Sequence, residues 1–389
     1  MIKYLFNNRE DSLLDIDNYV NHLENNTVVK FHSSIEGYQP TPLLEMPVLS
    51  KDLGIKKIYV KDESSRFGIK SFKGLGASYS IFQIVKTLWE KEYHSPFHVL
   101  DIWNDEKIKK LGQLTFAAAT DGNHGKAVAW FSKLINQNAV IYMPSSSSQS
   151  RINAIKEEGG KVVLIDGSFD ECVKRCNIDS TVNGWQIVSD TSYPGNMENP
   201  KNVLLGYTTI YKEIDQCINE EFDYIFIPTG VGGVAAAGAL YFNYYKNSRK
   251  TKLVTVEPES SDCLYESLKN NKPSYCTGIQ DSIMVGLNCG FPSLSSWEIL
   301  RNSVYLSLVI PDKYAIQGMR KYHDVGIVSG ETGSGSLAGV LSILDKQNKS
   351  LADKMELKNS TILILNTEGD TDTENYKRII SGNFDRFIS

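Results

Sequence analysis

The chain has 389 residues, 41% hydrophobic and 22% charged, which is globular composition and too apolar for disorder. The 41 Lys and Arg against 46 Asp and Glu leave a net charge of −5, which argues against a broad basic surface for nucleic acid. Six cysteines are too few for a disulfide scaffold and show no C-x-x-C spacing, so structural zinc is not expected and reduced thiols in a cytoplasmic setting are.

The opening MIKYLFNNREDSLLD carries Lys3, Arg9, Glu10 and Asp11 and lacks the apolar stretch of a signal peptide. Short apolar, β-branched runs predict strands at 57–60, 114–118, 139–143, 161–165, 187–189, 224–227, 253–256 and 361–365. Amphipathic periodicity predicts helices at 72–92, 124–136, 149–158, 203–218, 234–245, 313–323 and 335–344. Nearly continuous apolar strands alternating with helices describe an α/β chain with largely parallel sheets, and the strands suffice for two of them. At about 150 residues per domain, two large domains fit the length. The stretch 224–245 carries no charge, but Pro228 and four glycines break it into strand, turn and helix, so no membrane span is expected.

Three loops share one build, a strand end, a glycine-rich turn and a helix start: 120–125, 228–233 and 329–335. Such turns aim backbone N–H groups and a helix N-terminus at a ligand above the sheet. Gly230-Val-Gly232-Gly-Val-Ala235 fits G-x-G-x-x-G/A, and Glu257 closes the next strand where a ribose-binding acid would stand. The pattern is met equally by a dinucleotide, by a smaller phosphorylated cofactor, and by a tight turn with no ligand.

Lys73 lies between Phe72 and Gly74-Leu-Gly76, where a long helix begins. A cation there opposes the helix dipole. Desolvation and positive potential both lower an ammonium pKa, which makes a nucleophilic amine; a lysine snorkelling from a wet helix face is the plainer reading. Lys61 and Lys70 suit that exposed role better. No H-E-x-x-H and no G-x-S-x-G is present, so metalloprotease and α/β-hydrolase chemistry lack support. His124 reads as a packing or hydrogen-bonding residue.

Taken in series, Gly37-Tyr-Gln-Pro-Thr-Pro-Leu43, Lys61-Asp-Glu-Ser-Ser-Arg-Phe-Gly68, Ala119-Thr-Asp-Gly-Asn-His-Gly125, Val188-Ser-Asp-Thr191, Gly206-Tyr-Thr-Thr209, Val256-Glu-Pro258, Met284-Val-Gly-Leu-Asn-Cys-Gly290 and Asn366-Thr-Glu-Gly-Asp-Thr-Asp372 run in order over almost the whole chain. With Lys73 they resemble the fold-type II pyridoxal-phosphate enzymes, the tryptophan synthase β-like group, and within it the diaminopropionate ammonia-lyase family. The resemblance implies two α/β domains, a large one from 1–80 and 215–389 and a small mobile one from 81–214, with the cofactor between them. It implies that Lys73 holds pyridoxal phosphate as a Schiff base. Asn123 would meet the ring hydroxyl, the N–H groups of Gly230, Val231, Gly232 and Gly233 the phosphate, and Thr367 the pyridine nitrogen. Asp121 and Asp190 would face the substrate. A homodimer is the family's expected assembly.

Asp121 stands where relatives acting on simple amino acids usually carry Ser or Thr. It would pair with a second ammonium of the substrate, or act as a base on the face opposite Lys73, or merely cap the following helix. The implied reaction is α,β-elimination of 2,3-diaminopropionate, D and L, to pyruvate and two ammonia. A serine or threonine dehydratase, a β-replacing synthase, and an NAD(P) oxidoreductase using the Gly230 turn are the alternatives. Pro194-Gly-Asn-Met-Glu-Asn-Pro200 lacks the expected aromatic after its glycine, and Thr229-Gly replaces the more usual Gln-Ala. Cys263 and Cys289 lie in matched segments and are expected as reduced thiols.

Overall fold

A computed structural model describes residues 2–7, 16–120, 122–248 and 250–384. Its strands are β1 (Lys3–Phe6), β2 (Leu43–Glu45), β3 (Lys57–Asp62), β4 (Thr115–Ala119), β5 (Asn138–Pro144), β6 (Lys161–Ile165), β7 (Gln186–Ile187), β8 (Tyr224–Pro228), β9 (Lys252–Pro258), β10 (Val304–Ile310) and β11 (Thr361–Asn366). A seven-stranded sheet runs β1-β10-β9-β8-β11-β3-β2, and a four-stranded sheet runs β6-β5-β4-β7. The four-stranded sheet is wholly parallel. The larger one is parallel inside, with β1 and β2 antiparallel at its two edges. The predicted α/β class with largely parallel sheets is what the chain adopts.

Strands β3, β8, β9 and β11 are buried along nearly their whole length, which explains their unbroken apolar runs: helices cover both faces of the sheet. The predicted helix at 234–245 is α-helical only over Gly233–Ala239 and continues as a wider π-helical turn over Leu240–Tyr245. One of the three glycine-rich loops departs from the expected build. The segment 329–335 follows the helix Asp312–Asp324, not a strand, although the helix Gly335–Leu344 does begin at its end.

Lys61, expected to be solvated, is fully buried. Its Nζ sits 2.5 Å from Glu213 Oε2, and Arg66 binds the same oxygen at 2.7 Å and Glu63 at 2.8 Å. Two cations and two carboxylates thus neutralise one another without water, and Tyr38 and Thr41 donate further hydrogen bonds to them. Burial of such a set is tolerable only when complete. Glu213→Ala strands Lys61 and Arg66 against one acid and is expected to lower unfolding free energy by about 3–5 kcal/mol. A urea midpoint unchanged from the parent protein would contradict this.

Candidate active site

Strand ends from both sheets meet at one cavity of about 410 Å³. Thr120 follows β4, Asp190 follows β7, Pro228 ends β8 and Thr367 follows β11, and all four line it. This is the carboxyl edge, where parallel sheets place ligands.

Lys73 is the first residue of the helix Lys73–Tyr93, whose first turn holds no acid. Its Nζ lies 2.7 Å from Asp190 Oδ2 and beside the rings of Phe72 and Tyr207. The expected lowering of its pKa is not what this geometry gives. Burial does pull the ammonium down, but the Asp190 carboxylate overrides it and holds Lys73 above its ordinary range. Burial likewise pushes Asp190 up, and Lys73 reverses that, keeping the carboxyl below the usual range. The pair is an ammonium–carboxylate contact, and the amine becomes a nucleophile when its proton is taken from it. Lys70, by contrast, is about half-buried and paired to Asp370 at 2.7 Å.

The turn after β8 is shaped for close approach. Gly232 has φ +101°, a left-handed conformation that side chains resist. A Cβ on Gly230 would stand 2.8 Å from Cys289 Sγ. The N–H groups of Gly230, Val231, Gly232 and Gly233 lie at this turn, where the helix Gly233–Ala239 starts. Glu257 has no ribose to meet: it is buried and accepts the N–H groups of Leu264 at 2.7 Å and Tyr265 at 2.8 Å, at the start of the helix Cys263–Asn270. The dinucleotide reading loses its acid. Cys263 donates toward the Gly230 carbonyl, so both thiols flank the turn.

Thr367 is 1% exposed, and its Oγ1 has no hydrogen-bond partner among the described residues. Leaving a buried hydroxyl unpaired costs about 1–3 kcal/mol, a cost removed when a bound molecule supplies the partner. Asn123 begins the helix Asn123–Leu134 and lines the cavity. An amine, a cradle of small residues, an unpaired hydroxyl and an amide match the aldehyde, phosphate, pyridine nitrogen and ring hydroxyl of pyridoxal phosphate in kind and in number. Asp121 lies outside the described residues. His124 Nε2 donates to the Val188 carbonyl, 2.8 Å away, and is buried, as a structural histidine would be.

Glu368 adjoins Thr367 and is not among the site residues predicted from sequence. This cavity-lining acid is 5% exposed. Burial, with the charge of Glu368 added to it, raises Glu331 to about 7. Because the unfolded chain releases this proton near the ordinary value of 4.5, stability falls as pH rises from there to about 7 and is level above. Glu331→Gln is expected to abolish that decline, worth roughly 3 kcal/mol between pH 5 and pH 8. Urea titrations at both values check it, and an unaltered slope would refute it.

Residues 35–368 match the family described as pyridoxal-phosphate dependent enzymes. Diaminopropionate ammonia-lyase of Escherichia coli (strain K12) is 37% identical over 364 residues, which cover 90% of this chain and 89% of that protein. The protein of the same name in Salmonella typhimurium (strain LT2) is 31% identical over 402 residues, covering 98% of each. The crystal structure of the Escherichia coli enzyme in complex with an aminoacrylate-PLP azomethine reaction intermediate superposes with a TM-score of 0.86, at 32% identity, covering 98% of this chain and 97% of that one.

Proposed function

The chain belongs to the pyridoxal-phosphate dependent enzymes and, among them, to the diaminopropionate ammonia-lyase family, and from that premise we propose how its residues eliminate ammonia from 2,3-diaminopropionate. Elimination releases one ammonia, and hydrolysis of the released aminoacrylate by water gives pyruvate and the second. The architecture is fold-type II and the cofactor is pyridoxal phosphate. The observation that carries the residue assignment is the Lys73–Asp190 contact of 2.7 Å, in the cavity shared with the Gly230–Gly233 turn and the unpaired Thr367 hydroxyl.

Bound at Lys73, pyridoxal phosphate supplies the electron sink for the pair left when the Cα proton departs. Lys73 would hold the cofactor and, as a free amine, would take the Cα proton of the L-isomer. Asp121 takes that of the D-isomer from the opposite face. Asn123 donates to the ring oxygen. The turn N–H groups of Gly230, Val231, Gly232 and Gly233 hold the phosphate dianion, helped by the following helix start. Thr367 partners the pyridine nitrogen; a hydroxyl, unlike a carboxylate, does not hold that nitrogen protonated. Asp190 loses its cation when Lys73 is engaged, and a buried carboxylate without a partner is costly. The substrate's β-ammonium restores the pair, and a protonated nitrogen leaves more easily than hydroxide does.

The division into 1–80 with 215–389 and a small mobile unit of 81–214 is supported by the four-stranded sheet lying wholly inside the latter; its closure would exclude water during the reaction. We propose a cytoplasmic homodimer. No helix among the described residues is long and apolar enough to cross a membrane. Turnover of D- and L-diaminopropionate compared with serine and threonine tests the substrate, with both diaminopropionate isomers expected to be preferred. Serine as the much better substrate would make the protein a dehydratase.

A further inference from the structure

Glu368 is held from every side. Its Oε1 accepts the Thr332 N–H at 3.0 Å, and its Oε2 accepts Asn123 Nδ2 and, at 3.4 Å, the Thr371 hydroxyl. A Cβ on Gly330 would come within 2.9 Å of Oε1, so the loop packs directly on the carboxylate. An ionised carboxylate accepts and never donates. The end of the Asn123 amide that faces it must therefore be the NH₂ group, and the oxygen end is excluded. One N–H of that nitrogen is engaged, and the other is left on a residue that lines the cofactor cavity.

We propose that Glu368 is a positioning residue: through its bond to Asn123 it fixes the amide as an N–H donor toward the cofactor's ring oxygen. The contact also ties the start of the helix Asn123–Leu134, which belongs with the four-stranded sheet, to the end of β11 in the larger one. This rests on Asn123 being the partner of the ring oxygen. Glutamine at the same place can present either an oxygen or an NH₂ group, so the orientation of Asn123 is no longer imposed.

The test reads pyridoxal-phosphate dissociation from the visible absorbance of reconstituted protein, not turnover. Glu368→Gln is expected to weaken cofactor binding roughly tenfold, the scale of one charge-assisted hydrogen bond. In an Asn123→Asp background the sign is expected to reverse, because two facing carboxylates repel and Glu368→Gln relieves them: there it should tighten binding. The same sign in both backgrounds, or no effect in the native one, overturns the proposal. Should Glu368→Gln alone fail to fold, its failure or success in rescuing Asn123→Asp decides. A protein that binds the cofactor normally yet leaves diaminopropionate untouched would refute the substrate assignment and leave this pairing standing.

Discussion

Lys73→Ala is expected to yield folded protein that takes up no visible chromophore, gives no borohydride-stable adduct and loses turnover by on the order of 10⁴-fold or more, since anchor and proton carrier vanish together. Lys73→Arg separates the two properties of this side chain. A guanidinium retains the charge opposite Asp190 but stays protonated and cannot condense with an aldehyde. It is expected to preserve the melting temperature of the native protein while being as inactive as the alanine variant. In Lys73→Ala the Asp190 carboxyl loses the cation that holds it low, so its pKa should rise and the apo protein should become less sensitive to acid at that position. Peptide mapping that places the reduced adduct on Lys61, Lys70 or Lys126 would sink the assignment of residue 73.

The sequence reveals the parallel core strands because double-sided burial leaves them no polar face: 224–227, 253–256 and 361–365 differ from β8, β9 and β11 only at their ends. It is silent about β1 and β2, which are short antiparallel edges without a strong apolar pattern. β10, with the apolar, β-branched run VYLSLVI, is a strand absent from those predicted above although its sequence carries the same signal. At the site, glycines were legible through backbone chemistry and Lys73 through its odd place at a helix start. The protonation of Lys73 was not, because it is set by Asp190, 117 residues away, and local sequence predicts only the desolvation that Asp190 overrides. Lys61 fails for the same reason: its counter-ion Glu213 comes from the distant helix Glu198–Cys217. Glu368 sits in a recognised motif, yet its role depends on Asn123, which only the tertiary fold brings to it.

Asp121→Asn is expected to split the two stereoisomers. Thr120 and Gly122, on either side of Asp121 in the sequence, both line the cavity. On the proposed mechanism Lys73 would take the Cα proton from one face, and the opposite configuration would require a base on the other. Asparagine keeps the size and can still cap a helix, but it cannot take a proton. The kcat/KM for D-2,3-diaminopropionate should therefore fall by roughly 10²–10⁴-fold, the usual contribution of a general base, while that for the L-isomer changes by less than about tenfold. Equal loss for both isomers would instead assign Asp121 to the β-ammonium, because that group must be bound whichever face reacts. No loss for either would remove Asp121 from the reaction, in which case the denaturation midpoint, and not the rate, would carry whatever effect the substitution has.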